Sequence, residues 1–173
     1  LESFSSRGPT NDGRIKPDVA APDGVTTSTF NPFYGTSAST PYVAGSAALI
    51  KGAYPHTPSE IQLILEQTTA SNHVKNNNDG TGRIDVNEAF MTFVVDTTIS
   101  KNQTISTGDT WTINPGVTLT IDPKVIITNS NAINNFGTIN NFGSINNSGI
   151  IANQGTISIQ CGATYFGILP TGN

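Results

Sequence analysis

The chain has 173 residues, enough for one ordinary domain or two small ones. Only 12% of them are charged, against about 25% in typical soluble domains; Ser, Thr, Asn and Gly fill the difference, a composition suited to a secreted, β-rich protein. The net charge of -4 argues against nucleic acid, which requires a basic patch. No apolar run approaches the roughly 20 residues of a membrane span, and the single Cys161 excludes an internal disulfide framework and a Cys-based zinc site.

The chain opens on Leu1 rather than Met and runs at once into an ordered-looking motif, which reads as a piece of a longer polypeptide. Ala38 to Ala53 is predicted as a helix. Val43, Ala44, Ala47, Ala48, Leu49 and Ile50 leave it almost no polar face, so it belongs inside a sizeable fold. Fewer than a hundred residues of one lobe cannot enclose it.

A second helix starts at Thr57-Pro58-Ser59-Glu60. Thr57 suits the N-cap, Pro58 the first helical position, and Glu60 completes a capping box. Ile61, Leu63, Ile64 and Leu65 form its apolar face, and it should end near Thr68-Thr69. Lys75 to Gly82 is polar and Gly-rich, hence a loop.

Composition shifts near Val94-Val95-Asp96, which divides the chain into residues 1–93 and a β-rich extension, residues 94–173. In the extension isoleucines recur every six residues at Ile133, Ile139, Ile145, Ile151 and Ile157, and glycines do so at Gly137, Gly143, Gly149 and Gly155. Ile at every sixth position can stack inward in the coils of a β-solenoid, with Gly at corners and Asn ladders between coils. Replacing Asn147 by Asp should matter little if that residue faces solvent, and Cys161 is assigned to the interior as a small hydrophobe. Thr97 to Thr128 has similar short strands without the strict period.

The stretch richest in chemistry is Gly35-Thr36-Ser37-Ala38-Ser39-Thr40-Pro41. A Ser at a helix N-terminus lies among free N–H groups and at the positive end of the helix dipole. An oxyanion formed when Ser37 attacks a carbonyl would be stabilised there. Gly35 permits close approach, and Pro41 is tolerated as a residue of the helix start. In isolation such a Ser would be no more than an N-cap.

The surroundings change that reading. Ser3-Phe4-Ser5-Ser6-Arg7-Gly8-Pro9, Ile15-Lys16-Pro17-Asp18-Val19-Ala20-Ala21-Pro22, Gly35 to Gly45, Thr57-Pro58-Ser59-Glu60-Ile61 and Gly80-Thr81-Gly82-Arg83-Ile84-Asp85-Val86 stand in that order. Each resembles a segment of the subtilisin-like serine peptidases. The resemblance implies an α/β fold, here the C-terminal portion of a subtilisin-like domain, followed by an all-β repeat segment. It implies a serine endopeptidase that acts on polypeptide substrates through an acyl-enzyme, with Ser37 as nucleophile, the Ser37 N–H in the oxyanion hole, and Gly35 and Thr36 beside the substrate. The family's Asp, His and oxyanion Asn would lie ahead of Leu1. Neither His56 nor His73 has the family's Gly-His-Gly context, so neither is taken as the general base, and residues 1–173 alone are expected to be inactive. Asp23 stands where the family has Gly, and Tyr42 where it commonly has His.

Asn77 to Glu88 can be laid on an EF-hand loop, but the first ligand is Asn and no entering helix is evident, so no metal and no cofactor is assigned. Asn102 and Asn146 head formal glycosylation triplets, to which no function is attached. The location implied is extracellular or cell-surface. The rival readings are a non-catalytic homologue and an adhesive or structural surface protein whose repeat tail meets glycans.

Overall fold

The computed structural model describes residues 1–71 and 73–172. Two compact units divide the chain. The first comprises residues 1–53 and 57–89, the second residues 54–56 and 90–173.

The first unit is built on two helices, α1 (Thr36–Ala53) and α2 (Pro58–Gln67), which pack on each other. The capping box of α2 is present as its sequence requires. Thr57 Oγ1 accepts from the Glu60 N–H, and Glu60 Oε2 accepts from the Thr57 N–H at 2.7 Å. Such caps are worth about 1 kcal/mol. The helix stops at its C-cap Thr68, whose N–H reaches the Ile64 carbonyl. Ile61, Ile64 and Leu65 are buried, as are Ile50 and Ile84.

The first helix differs from its expectation in two ways. It begins at Thr36 rather than Ala38, so Pro41 lies in its second turn. A proline there has no N–H to give the carbonyl four residues back, which frees Ser37 C=O. The unit also buries only Ala38, Ser46 and Ile50 of this helix. Tyr42 is 44% exposed and Leu49 60%. An almost wholly apolar helix is thus left half open.

The motif Ile15 to Pro22 forms a single parallel bridge, Ala20 to Arg83. Its bonds are regular: the Ala20 N–H donates to Gly82 O at 2.8 Å, the Ile84 N–H to Ala20 O at 2.9 Å, and the Thr81 N–H to Asp18 O at 3.0 Å. Gly80, at φ +68°, passes so close that an added Cβ would lie 2.0 Å from Asp18 O. Two motifs some sixty residues apart are therefore laid side by side. The α/β character of this unit is only partly visible among the described residues.

The second unit is a parallel β-solenoid of about four turns. Its strands are β1 (Thr92–Phe93), β2 (Thr97–Ile99), β3 (Gln103–Ile105), β4 (Thr110–Ile113), β5 (Thr118–Ile121), β6 (Ile126–Asn129), β7 (Ala132–Asn135), β8 (Thr138–Asn141), β9 (Ser144–Asn147), β10 (Ile150–Asn153), β11 (Thr156–Ile159), β12 (Thr164–Gly167) and β13 (Thr171–Gly172). They form three sheets, in the orders β1-β4-β7-β10-β13, β11-β8-β5-β2 and β12-β9-β6-β3. Each coil contributes one strand to each sheet. A short helix α3 (Val86–Met91) precedes the first coil.

The period of six is explained by this geometry. Ile133 pairs with Ile151, and Ile139 with Ile157, so a coil of the strict region is three hexads long. Within a hexad the side chains alternate. Ile133, Asn135 and Gly137 face inward and buried, while Asn134, Phe136 and Thr138 face outward. The inner columns end in Asn ladders: Asn129 Nδ2 donates to Asn147 Oδ1, and Asn135 Nδ2 to Asn153 Oδ1, both at 2.7 Å. Ile133, Ile139, Ile145 and Ile151 are at most 2% exposed, whereas Ile157, on a terminal strand, is half-buried.

Asn147 does not face solvent, and the interior placing of Cys161 is corrected. Asn147 is 3% exposed and points inward, because it occupies the second inward position of its hexad. Cys161 is exposed, because it falls in the turn between β11 and β12 rather than on an inward strand position.

The coil at the start is packed by aromatic rings. Phe93 meets Trp111 edge-on at 5.1 Å, and Tyr54 meets Phe93 at 6.0 Å and Phe90 at 6.1 Å. Burial pushes the Tyr54 phenol up to about 12.

Candidate functional site

Ser37 is the second residue of α1 and is exposed, as is Thr36; Gly35 is half-buried at the N-cap with φ +117°. The positive φ explains why glycine stands there. Gly35 has no side chain to cap the helix, and no acidic residue lies in the first turn. Its carbonyl accepts from the Ala38 N–H at 2.8 Å and from the Ser39 N–H at 3.4 Å. Among the described residues no hydrogen bond is made by the Thr36 or Ser37 N–H, or by Ser37 Oγ. Two free donors thus accompany an exposed hydroxyl at the positive end of an 18-residue helix.

The start of the helix is tied down by Ala21-Pro22-Asp23. Ser39 Oγ donates to Ala21 O at 3.2 Å and to Pro22 O at 3.0 Å. Asp23 Oδ1 accepts from the Gly35 N–H at 2.8 Å. Sequence reading noted Asp23 only as a departure from a motif. The signal that could have found its role was the appearance of a carboxylate in place of glycine next to the segment that meets the helix N-terminus. A cavity of about 620 Å³ opens beside these residues, lined by Asp23, Thr36, Ser39, Thr40, Val43 and Arg83 among others. Ser37 does not line it.

The histidines are engaged elsewhere. His56 is 4% exposed, its ring tilted against Tyr54 at 5.8 Å, with Nε2 facing Thr97 Oγ1 at 3.4 Å. His73 Nε2 lies 3.2 Å from Asp79 Oδ2, and its Nδ1 3.2 Å from Val74 O. Those two acceptors, the carbonyl first, raise the imidazole above its ordinary value. The residues laid on an EF-hand loop are otherwise occupied: Asp79 faces His73, and Glu88 lies in α3 with its N–H on Asp85 Oδ1.

Asp18 anchors a second polar cluster. Burial works to raise its carboxyl, but Lys16 and Lys75 outweigh it and hold the group below the usual carboxylate range. Lys75 also pairs with Glu66 at 3.1 Å. This cluster joins the Lys-Pro-Asp motif to the loop after α2.

Among the described residues no helix is long and apolar enough to cross a membrane. The family model described as the subtilase family matches residues 1–86. Of curated proteins, the subtilisin-like protease SBT3.2 of Arabidopsis thaliana is 42% identical over 83 residues, covering 39% of this chain and 11% of that protein's length. The chain therefore spans only a small part of the relative that it matches. No solved structure matches. Residues 1–86 belong to the subtilase family.

Proposed function

We propose that this chain carries the nucleophile of a serine endopeptidase and that Ser37 is that nucleophile. The observation that supports it most is the exposed Ser37 hydroxyl with its own free N–H, in the first turn of a helix inside the family-matched segment. In the reaction Ser37 Oγ attacks the scissile carbonyl carbon and passes its proton to a general base. The carbonyl oxygen becomes an oxyanion that accepts from the Ser37 N–H. Collapse breaks the C–N bond, the protonated base gives its proton to the leaving amine, and water then hydrolyses the ester. Thr36 and Gly35 line the approach to that carbon. The base and its orienting carboxylate come from outside residues 1–173, since His56 and His73 are held by other partners. Polypeptides are the substrates, and the setting is extracellular or the cell surface.

The test is fluorophosphonate labelling. The full-length protein should label and cleave peptide substrates, residues 1–173 alone should label far more slowly, and Ser37→Ala should lose several orders of magnitude in rate. A full-length Ser37→Ala protein that keeps most of its activity would sink the assignment.

A second reading concerns the solenoid as a surface module. No charged residue follows Lys124, and one outward column is hydroxyl-bearing, Thr118, Thr138 and Thr156. These features support a spacer or a glycan-contacting tail. A binding screen of the chain against cell-wall polymers, with no retention on any, would remove it.

A further inference from the structure

Asp23 and Gly35 occupy opposed places in a two-stranded ladder that stops between them. Val25 and Phe33 exchange N–H···O bonds of 3.1 and 2.7 Å across an antiparallel bridge. Two residues outward on each strand, the facing pair is Asp23 and Gly35, which would exchange main-chain bonds if the ladder continued. Instead the Gly35 N–H goes to the side chain of Asp23 at 2.8 Å. The backbone of Gly35 is thereby released from the ladder at φ +117° and turns into α1 one residue later.

The other carboxylate oxygen is informative. Asp23 lines the same cavity as Thr36 and Ser39, and its Oδ2 is buried with no hydrogen-bond partner among the described residues. A buried, unpaired carboxylate oxygen lowers stability. The contact that Asp23 does make is with the peptide that leads into Thr36 and Ser37.

We infer that Asp23 is a positioning residue for Ser37, fixing through the Gly35 N–H the turn that presents the hydroxyl and leaving the Thr36 and Ser37 N–H groups free to receive an oxyanion. The inference rests on the assignment of Ser37 as nucleophile. Positioning of this kind acts on the rate of attack more than on substrate affinity, because a small displacement of the attacking atom costs orders of magnitude.

The experiment compares Asp23→Ala, Asp23→Asn and Ser37→Ala in the full-length protein, by fluorophosphonate labelling rate and by kcat and KM on a peptide. Asp23→Ala should label about tenfold more slowly, with kcat reduced in proportion and KM changed less than about twofold. Asp23→Asn should restore the rate to within about twofold of the parent, because its Oδ1 still accepts from the Gly35 N–H. In amide spectra the Gly35 N–H should shift in Asp23→Ala and stay in place in Asp23→Asn. Asp23→Ala at the parent rate, with Ser37→Ala silent, overturns the role of Asp23 and leaves the nucleophile standing. Should Asp23→Ala not fold, the Asn variant decides: near-parent kinetics supports the positioning bond, and a tenfold loss overturns it. Labelling that survives in Ser37→Ala instead overturns the nucleophile itself.

Discussion

Asn129 and Asn147 lie one coil apart in the solenoid, and the amide of the first donates to the carbonyl of the second at 2.7 Å. Asn147 passes the chain on, donating to Tyr165 Oη at 3.0 Å and to Ile168 O at 2.6 Å. Amides suit this place because each has a donor and an acceptor to hand to the coil on either side. Replacing Asn147 by Asp keeps the acceptor for Asn129 but sets a carboxylate against the Ile168 carbonyl in a site only 3% exposed. The loss should be about 2–4 kcal/mol at neutral pH. It should shrink in acid, where a buried carboxyl is protonated and donates again. Thermal melts at two pH values measure it, and a neutral-pH melt equal to the parent's would refute the inward ladder.

The corner glycines are required by closeness, not by backbone angle. Gly137 is not at positive φ, yet an added Cβ would lie 2.3 Å from Val117 O and 2.5 Å from Asn114 O in the coil below. Gly137→Ala must push two coils apart and should destabilise the solenoid by about 2 kcal/mol. Gly45, inside α1, has no neighbour among the described residues within 4 Å of the same position, the backbone of its own helix aside. Gly45→Ala there should stabilise by about 0.5–1 kcal/mol. Chemical denaturation of both variants gives the comparison, and equal effects would argue against tight stacking at Gly137.

His73 and Asp79 form a half-buried, pH-sensitive pair. His73 is raised above its ordinary 6.5, first by Val74 O and then by Asp79. Asp79 is lowered, first by Asn76 and then by His73. The His73 contribution to stability is thus fully present below its unfolded value and is lost as pH rises through the folded one. The Asp79 contribution is present above its unfolded value and is lost as pH falls through the folded one. An NMR titration should place the His73 midpoint above 6.5, and Asp79→Asn should lower it part of the way, since the Val74 carbonyl remains. A midpoint unmoved in that variant would show that the carboxylate has no hold on the ring.

The sequence carried some of this plainly and some not at all. Thr57-Pro58-Ser59-Glu60 is legible because a cap is local: its donors and acceptors lie within four residues. The sixfold Ile spacing marks a solenoid for a similar reason, since one side of a coil equals one period. Asn ladders between coils are expected from the repeat, but which Asn of a hexad turns inward is not legible, because an amide suits solvent and an inward ladder alike. Tyr54 and His56 belong with the solenoid's first coil although they stand between two helices of the other unit, a placement set by aromatic packing over long range. The Asp23–Gly35 bond needs a loop to fold back before it exists.

Stacking should make the solenoid's inner positions unequal. Ile145 lies between Ile127 and Tyr165 in its sheet and is 1% exposed. Ile157 pairs with Ile139 on one side, in a strand at the sheet's edge, and is half-buried. An Asp at either place removes an apolar side chain and adds a charge. At position 145 that charge has a coil on each side and no water, and the loss should be about 4 kcal/mol or more. At position 157 the carboxylate can turn to solvent at the open side, and the loss should be nearer 1–2 kcal/mol, chiefly the burial forgone. Because each coil is stabilised by its neighbours, Ile145→Asp should also lower protection of amides in the coils above and below it, whereas Ile157→Asp should affect only its own strand. Thermal melts with hydrogen exchange on the two variants separate these outcomes. Equal losses, with exchange confined to the mutated strand in both, would mean that the coils do not support one another.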